Sequence, residues 1–443
     1  MNSVKNLAEG NIYKNFIVFA IPVVLSGLLS QAYNTIDTVI AGKFLGSDGL
    51  AALGATGDFI TFLSCIFWGY STGVSIYSAR LFGGGKYCEL KKLVYNNLFL
   101  LFGAALIMAA GITLFHAEIL EFFRVDPNIR NDAAIYLLIY AWGMFLMHLQ
   151  VALIFMMQAM GASGFQFFMS LLSAVLNVIG NIVMITVLHW GVAGVAISTV
   201  VSALVADGFL WCKMKKIFWQ LGVGEYRVTF DQGVFRKSFT YGSWNMIQQM
   251  ILYAATMLIA PMINGLGSTA TAGYVVARRV YTLNNSIYQS SAKTLSNYVA
   301  QCIGAGKTEN LKQGYRVGWI QGLVLTLPML LICVIFATPV CNMFFPKGQG
   351  TEALGYAVSF VQFFLPFALL DMTDNLFHAF FRGAGAVRLL AISSLIYSLS
   401  QMLYTILFIE KFFMNGVYLA WVLGWATEAV FALTAYLLGW WKK

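Results

Sequence analysis

Residues 79–92, ARLFGGGKYCELKK, return later in the chain as residues 300–313, AQCIGAGKTENLKQ, at an offset of 221 (300 − 79). The residues shared by the two copies are, in the first of them, Ala79, Gly83, Gly85, Lys86, Leu90 and Lys91. Three further matches follow the same register: Leu45-Gly46-Ser47 with Leu266-Gly267-Ser268 at 221, and Phe122-Phe123 with Phe344-Phe345 and Gly161-Ala162 with Gly383-Ala384 at 222. Four matches in one order at nearly one offset indicate two duplicated halves.

The composition indicates whether these halves fold in water or in a membrane. Of the 443 residues, 59% are hydrophobic and 10% are charged, whereas soluble domains carry about 25% charged residues. This difference predicts an integral membrane protein. The six cysteines form no CxxC pair, so we expect small buried side chains rather than a disulfide or zinc framework.

Twelve apolar segments can be drawn along the chain, six in each half: 14–40, 52–80, 93–115, 133–157, 167–188, 192–213, 238–264, 270–302, 314–337, 355–380, 388–409 and 416–440. They are longer than the ~9–11-residue strands of a membrane barrel and lack strict alternation, which favours helices. Six spans return the chain to its starting side, so the halves share one orientation. We predict an all-α membrane protein with 12 transmembrane helices in two six-helix lobes, 1–213 and 238–443, related by pseudo-twofold symmetry and joined by a cytoplasmic linker at 214–237.

The distribution of positive charge predicts the orientation. With the N-terminus in the cytoplasm, 19 of the 27 Lys and Arg residues fall on the inside, Lys5 and Lys443 among them, and 5 fall outside, including Lys347. The other 3 lie within the eighth span. Cytoplasmic loops carry such an excess, so both termini are predicted to be cytoplasmic. The net charge of +9 is then a topology signal, and no nucleic-acid partner is implied.

The first span carries a polar stripe that ends in a carboxylate. Ser26, Ser30, Tyr33 or Asn34, and Asp37 recur at helical spacing and share one face. A charge at the bilayer centre costs about 2.5–3.5 kcal/mol, so Asp37 must face water or a partner. The stripe suits a binding site for a proton or Na⁺; a hydrogen-bonding seam between helices is the alternative.

Two further observations concern this carboxylate. At offset 221 Asp37 falls on Leu258, so the acid is not a requirement of the shared fold. In the fifth span, Asn177 and Asn181 lie one turn apart on one face. Their amides could ligate Na⁺ or hydrogen-bond a substrate, or could hold helices together.

The tenth span carries a second polar stripe. Asp371, Asn375, His378 and Arg382 share one face, and Asp374 neighbours both Asp371 and His378. Two nearby carboxylates raise one another's affinity for protons, which predicts a second acidic site for an ion or a cationic substrate. The alternative is charge compensation, with His378 paired to an aspartate.

Other polar groups are weaker candidates. Gln248 and Gln249 in the seventh span could join the second site or act as helix–helix contacts.

The loop GGGK at 83–86 lacks the spacing of a phosphate-binding loop, so we predict a tight turn there and in its copy GAGK. Isolated groups within or near the spans are Asp58, Asp207, Glu428 and His148, the last expected to be an interior histidine.

Together these features resemble the multidrug and toxic compound extrusion (MATE) family, within the superfamily that includes lipid and oligosaccharide flippases. The markers are QxxNxxDxxxxG at 31–42, LGSDGLAALG at 45–54, the two glycine loops, LNVIGN at 176–181, and Asp371 eleven residues before Arg382. The resemblance covers nearly the whole chain.

The resemblance implies two lobes that form a V and export amphipathic, often cationic, compounds against inward movement of H⁺ or Na⁺. Asp37 matches the acid of the family's first span, and Asp371 matches the acid of the tenth span in the NorM-type branch. That branch tends to have a glutamate in the seventh span, where this chain has Gln248 or Gln249. The DinF-type branch has an aspartate at the position of Asn181.

The sequence thus predicts an antiporter in the plasma (inner) membrane, acting as a monomer on a small amphipathic molecule. Its partners are that substrate, membrane lipid and a coupling H⁺ or Na⁺, with Na⁺ at Asp37 as one option; no cofactor is expected. A lipid-linked precursor flippase is the alternative, supported by Arg278, Arg279 and Lys293. A structural membrane protein would not explain the buried acids, and nothing in the sequence suggests an enzyme.

Overall fold

A computed structural model describes residues 6–345 and 351–442, apart from the side chains of Asn34, Ser47, Leu50 and Thr351. Lys5, Lys347 and Lys443, counted in the topology prediction, lie outside these residues. The described chain contains helices and no strand, and its membrane-length helices are α1 Ile12–Gly46, α2 Ala51–Gly83, α3 Tyr87–Phe122, α4 Arg130–Ala159, α5 Ser163–Thr186, α6 Gly191–Gln220, α7 Gln232–Asn264, α8 Ser268–Gly304, α9 Thr308–Ile335, α10 Glu352–Ala384, α11 Val387–Phe412 and α12 Met414–Leu437.

Eleven of these helices are both long enough and apolar enough to cross a membrane. The remaining helix, α8, is the longest of those in the second half at 37 residues but carries many polar side chains. Its sequence contains NNSIYQSS at 284–291, and several of these groups are buried inside the protein. Its low hydropathy therefore reflects a polar interior face.

The repeated Leu-Gly-Ser motif forms the same break in both halves. Gly46 separates α1 from α2 with φ 73° and ψ −167°, and Gly267 separates α7 from α8 with φ 99° and ψ 163°. This backbone region is open to glycine and strained for residues with a Cβ, so the motif interrupts what would otherwise be one long helix.

The repeated GGGK and GAGK loops also fold alike. Gly85 has φ 69° and Gly306 has φ 74°. In the first loop Lys86 N–H donates to Leu81 O at 2.9 Å, and in the second Lys307 N–H donates to Cys302 O at 2.9 Å. Both are left-handed caps that end a helix, as predicted, and neither has a phosphate-loop geometry.

The described residues divide into two compact units. The N-terminal unit comprises Leu25–Met246 with Asn6, and the C-terminal unit comprises Leu7–Val24 together with the described part of Ile247–Lys443. The beginning of α1 therefore belongs to the C-terminal unit and the beginning of α7 to the N-terminal unit. The two boundaries, after residues 24 and 246, are 222 residues apart, so this exchange follows the repeat.

Equivalent tyrosines hold these exchanged segments. In the N-terminal unit, Tyr77 of α2 stacks on Tyr241 of α7 with ring centroids 5.5 Å apart. In the C-terminal unit, Tyr298, which lies 221 residues after Tyr77, packs edge-on against Phe16 of α1 at 5.2 Å. Gln321 adds a hydrogen bond of 2.8 Å to Phe16 O. The duplication is thus visible in packing as well as in sequence.

Two helices depart from α geometry close to the polar stripes. In α5 a π-helical turn, Val183–Val187, begins two residues after Asn181. In α10 a π-helical turn, Phe360–Phe364, and a 3-10 turn, Leu365–Phe367, precede the regular helix that carries Asp371. Such π-turns are rare and occur frequently at functional sites.

Candidate functional site

In the N-terminal unit, Asp37 of α1 and the two asparagines of α5 form one hydrogen-bonded chain. Asn181 donates from Nδ2 to Asp37 Oδ1, and also to Asn177 Oδ1 at 2.9 Å. Asn177 in turn donates to Thr199 Oγ1 of α6 at 3.0 Å. Asp37 is half-buried, whereas Asn177 and Asn181 are buried. The structure therefore brings together three of the four residues predicted for this site. The side chain of the fourth, Asn34, lies outside the described part of the chain.

The amide oxygen of Asn181 differs from the other polar atoms in this chain of hydrogen bonds. It is buried and has no hydrogen-bond partner among the described residues, although Nδ2 uses both of its hydrogens. A buried polar atom without a partner costs free energy and therefore indicates a place for a further donor or a cation. Since oxygen is the ligand that hard cations such as Na⁺ prefer, the donor types present fit such an ion.

A cavity of about 320 Å³ lies inside the N-terminal unit beside this chain. Its wall contains Ser26, Ser30 and Tyr33 from the predicted stripe, and Asn177 and Thr199 from the hydrogen-bonded chain. The stripe thus faces the interior of its own unit. The volume is at the lower end of the ~300–1,000 Å³ found for small-molecule sites.

His148 also lines this cavity and is an interior histidine, as predicted. It is 3% exposed, contacts Met144 O through Nδ1 at 2.8 Å, and packs on the ring of Phe67 at 4.4 Å. Asp58, in contrast, is exposed on α2, and Asp207 is buried on α6.

In the C-terminal unit, Asp371 accepts hydrogen bonds from side chains of α8 and α10. Its Oδ2 accepts hydrogen bonds from the hydroxyls of Tyr281, at 2.8 Å, and Tyr288, and from Asn285 Nδ2 at 3.3 Å. Its Oδ1 accepts from Asn375 Nδ2 at 3.0 Å. Asp371 is 8% exposed. Four donors therefore hold this carboxylate in place, and both of its oxygens have a hydrogen-bond partner.

The other predicted members of the second site have different partners. His378 pairs with Glu428 of α12, Nε2 to Oε1 at 2.8 Å, and contacts Ser393 Oγ of α11 at 3.1 Å. The alternative interpretation, charge compensation, paired His378 with an aspartate; in the structure its partner is Glu428 from a neighbouring helix instead. Asp374 is 1% exposed, and neither of its carboxylate oxygens has a hydrogen-bond partner among the described residues.

The place of Gln248 and Gln249 in the second site stays a prediction. Gln248 is buried and accepts a hydrogen bond from Arg382 at 3.3 Å, while Gln249 is half-buried. Arg278 and Arg279, which were candidates for a basic cavity, are exposed on α8. No group of three or more His, Cys, Asp or Glu side chains that could hold a metal ion is found among the residues described.

The sequence did not single out several residues that the structure places at these sites. Thr199 in the N-terminal unit gave no distinguishing signal, because hydroxyls are common in spanning helices. The tyrosines and asparagine around Asp371 could have been found. Tyr281, Asn285 and Tyr288 recur at helical spacing, which indicates a polar face within a span.

The comparison with protein families decides the identity. The MatE family model matches residues 22–183 and 245–407, which are equivalent parts of the two halves and cover most of the chain. The chain belongs to the MatE family. This confirms the predicted membership of the multidrug and toxic compound extrusion family, whose transporters need no cofactor.

Relatives and solved structures agree with this assignment. A probable multidrug resistance protein NorM from Thermotoga maritima is 23% identical over 98% of this chain and 94% of its own. A probable multidrug resistance protein YoeA from Bacillus subtilis is 23% identical over 77% and 75%. An outward-facing multidrug resistance MATE transporter of the MOP superfamily has a TM-score of 0.88 at 18% identity, covering 99% of this chain and 98% of that one.

A second solved structure, a MOP superfamily transporter from Pyrococcus furiosus described as having a binding pocket of reverse polarity, has a TM-score of 0.87 at 19% identity over 100% of both chains. At these identities the structures establish the fold. The MatE protein is therefore an all-α integral membrane protein with twelve spanning helices, as predicted. It is a transporter of small molecules such as drugs or metabolites, and not an enzyme.

Proposed function

We propose that this transporter is a secondary active antiporter that exports amphipathic, cationic drugs or metabolites in exchange for H⁺ or Na⁺ by alternating access. The observation that carries the proposal is Asp37, a half-buried intramembrane carboxylate that accepts a hydrogen bond from Asn181, whose neighbour Asn177 lines a cavity of about 320 Å³. Ionisable groups within spanning helices are costly and mark ion pathways. The multidrug resistance names of the relatives support the choice of substrate class.

In this proposal Asp37 is the coupling acid, and Asn34, Asn177 and Asn181 complete its site. A proton would neutralise the carboxylate directly. Na⁺ would be held by the carboxylate and by amide oxygens, for which the unpartnered Asn181 Oδ1 is the available atom. An ion that binds one facing state better than the other shifts the equilibrium between them, and the same free energy drives export.

The second acidic site is proposed to take an ion. It comprises Asp371 as the hydrogen-bonded carboxylate that positions the site, Asp374 and His378 as the groups that take the ion, and Gln248 and Gln249 on α7. Asp371 and Asp374 are 8% and 1% exposed, and an amphipathic molecule needs a far larger opening. Burial therefore favours an ion over a cationic substrate at these acids.

The flippase alternative is less well supported. A lipid-linked pyrophosphate needs a basic cavity, and the positive groups of α8 were the reason to consider it. Arg278 and Arg279 are exposed on α8. Arg279 lines a cavity in the C-terminal unit, but its other lining residues, such as Asn264, Ser268 and Phe344, are neutral, so this cavity carries too little positive charge for a pyrophosphate. Cation export is the better proposal.

The charge distribution supports the proposed orientation. We place both termini in the cytoplasm, because the inside segments carry the excess of Lys and Arg. We propose in addition that the protein is a monomer in the plasma (inner) membrane. The lobes are proposed to be 1–213 and 238–443, with the linker 214–237 on the cytoplasmic side.

The test is transport of ethidium, an amphipathic cationic dye, in proteoliposomes with an imposed H⁺ or Na⁺ gradient. Wild type should move the dye under one of the two gradients, and that gradient identifies the coupling ion. Asp37→Asn should reduce gradient-driven transport by about tenfold or more, since it removes the charge that binds the ion.

Asp132→Asn is the matched control, because Asp132 is exposed at the start of α4 and its substitution should leave transport unchanged. A folded Asp37→Asn protein that transports the dye at the wild-type rate under both gradients would show that the coupling role is wrong. Dye transport that proceeds when neither an H⁺ nor a Na⁺ gradient is imposed would exclude antiport.

A further inference from the structure

The buried acids of the C-terminal unit form two separate clusters. Asp371 receives four hydrogen-bond donors, three of them from α8. Asp374, one turn further along α10, receives none among the described residues. Two carboxylates on one helix thus have opposite surroundings, and they cannot share one role.

The second cluster extends from Asp374 to side chains of α11 and α12. Glu428 interacts electrostatically with Asp374 and forms the 2.8 Å pair with His378. Ser393 Oγ donates to Glu428 Oε1 at 3.0 Å. Asp374, His378 and Glu428 are 1%, 7% and 3% exposed. These three titratable groups are held together in a site that water does not reach.

The charge of this cluster follows from burial. An ionised carboxylate without a partner in the protein interior costs several kcal/mol, so Asp374 holds its proton in this conformation. The His378–Glu428 pair is neutral when it holds one proton, either as imidazolium with carboxylate or as imidazole with carboxylic acid. The cluster is therefore neutral with two protons and carries one uncompensated negative charge when one of them leaves.

We propose that Asp374, His378 and Glu428 form a proton-binding site in the C-terminal unit, distinct from Asp371 and from the Asp37 site. The ligand is H⁺ because a histidine–carboxylate pair exchanges protons readily, whereas Na⁺ needs several free oxygens and Glu428 Oε1 already has two partners. The proposal rests on the proposed function only in treating these acids as an ion site.

Every helix packed against α10 contributes groups that face this cluster. Asp371 lies on α10 itself and interacts electrostatically with Asp374. The hydroxyls of α8 are held by Asp371. Tyr315 of α9 and Tyr397 of α11 also interact electrostatically with Asp374. The tyrosines are hydroxyl dipoles at ordinary pH, so Asp371, Glu428 and His378 are the titratable groups that neighbour Asp374 among the described residues.

The experiment measures proton binding in the purified full-length protein, without transport. Infrared difference spectra between neutral and alkaline pH should contain a band of a buried protonated carboxyl group, and Asp374→Asn should abolish it. Potentiometric titration over the same range should find one fewer proton per chain in this variant. Asparagine imitates the neutral acid in shape, so the variant should fold.

Glu428→Gln supplies an independent readout, because it should leave His378 neutral and also remove one proton per chain. Asp37→Asn is the matched control and should leave the Asp374 band in place. An unchanged band and proton count in Asp374→Asn would overturn the proposal, as would a band that disappears in Asp37→Asn instead. Displacement of the band by added NaCl at constant pH would overturn it in favour of a Na⁺ site. None of these outcomes depends on whether the Asp37 variant transports ethidium.

Discussion

Asp37 in the N-terminal unit and Asp371 in the C-terminal unit are both carboxylates within spanning helices, but their surroundings differ. Asp37 is half-buried and accepts a hydrogen bond from Asn181, whose neighbour Asn177 lines a cavity. Asp371 is 8% exposed and accepts four hydrogen bonds. A buried carboxylate held by four donors is a structural anchor, whereas a half-buried acid close to a cavity can exchange its ion. The comparison teaches that burial alone does not identify the coupling residue.

The largest effect that tests this comparison is on stability. Asp371→Ala leaves the hydroxyls of Tyr281 and Tyr288 buried without their acceptor, and we expect a loss of about 3–5 kcal/mol. Asp37→Ala removes fewer hydrogen bonds from a more exposed place, and we expect about 1 kcal/mol. The measurement is thermal unfolding in detergent, followed by loss of helical signal.

Asp132→Ala, at an exposed position, is the control and should leave the unfolding temperature unchanged. Equal losses for Asp37→Ala and Asp371→Ala would contradict the distinction between an exchangeable acid and an anchor. A larger loss for Asp37→Ala would reverse it.

A second comparison between the halves concerns equivalent lysines. Lys91 of α3 is 6% exposed, and its Nζ donates to Val223 O, Gly224 O and Tyr226 O at 2.9, 2.8 and 2.8 Å. Lys312, its counterpart at offset 221, is exposed. The first half therefore uses its lysine to hold the linker, whereas the equivalent lysine of the second half lies at the surface.

We therefore expect Lys91→Met to lower stability by about 1.5–3 kcal/mol, because three carbonyls lose a charged donor. Lys312→Met should stay within about 0.5 kcal/mol, as surface substitutions usually do. Thermal unfolding measures both effects, and limited proteolysis at residues 221–231 should be faster only in Lys91→Met. Equal proteolysis in the two variants would mean that Lys91 does not hold the linker.

How far the sequence could predict this molecule depends on whether a feature is local or comes from packing. The glycine breaks at Gly46 and Gly267 and the turns at Gly85 and Gly306 were predictable, because left-handed backbone is a local property of glycine. The meeting of Asp37 with Asn181 was expected from a family resemblance, since the two residues are 144 positions apart.

Partners from distant helices were not predictable from spacing. A pairing of His378 with an aspartate was the alternative interpretation of the tenth span, but its partner is Glu428, 50 residues later in the chain. Likewise, helical periodicity places Asp371 and Asp374 close together but does not reveal that one receives four donors and the other none. Those differences are set by which faces of α8, α11 and α12 pack against α10.

The smallest expected effect concerns a second contact of the linker, Asp231, at the start of α7. The backbone N–H of Val234, followed by the hydrogen bond from Lys92 at 3.0 Å, lowers the pKa of Asp231 below its usual value of about 3.9. The folded state then binds fewer protons than the unfolded state, so this contact stabilises the protein above about pH 4 and is lost as the pH falls below it.

Position 313, the counterpart of Lys92, is Gln313, which cannot form the same charged contact in the second half. The difference in unfolding temperature between wild type and Asp231→Asn should therefore shrink between pH 6 and about pH 3, whereas the effect of Lys91→Met should persist, because its three acceptors are carbonyls that do not titrate. A difference that stays constant with pH would show that Asp231 acts through its shape as a helix cap and not through its charge.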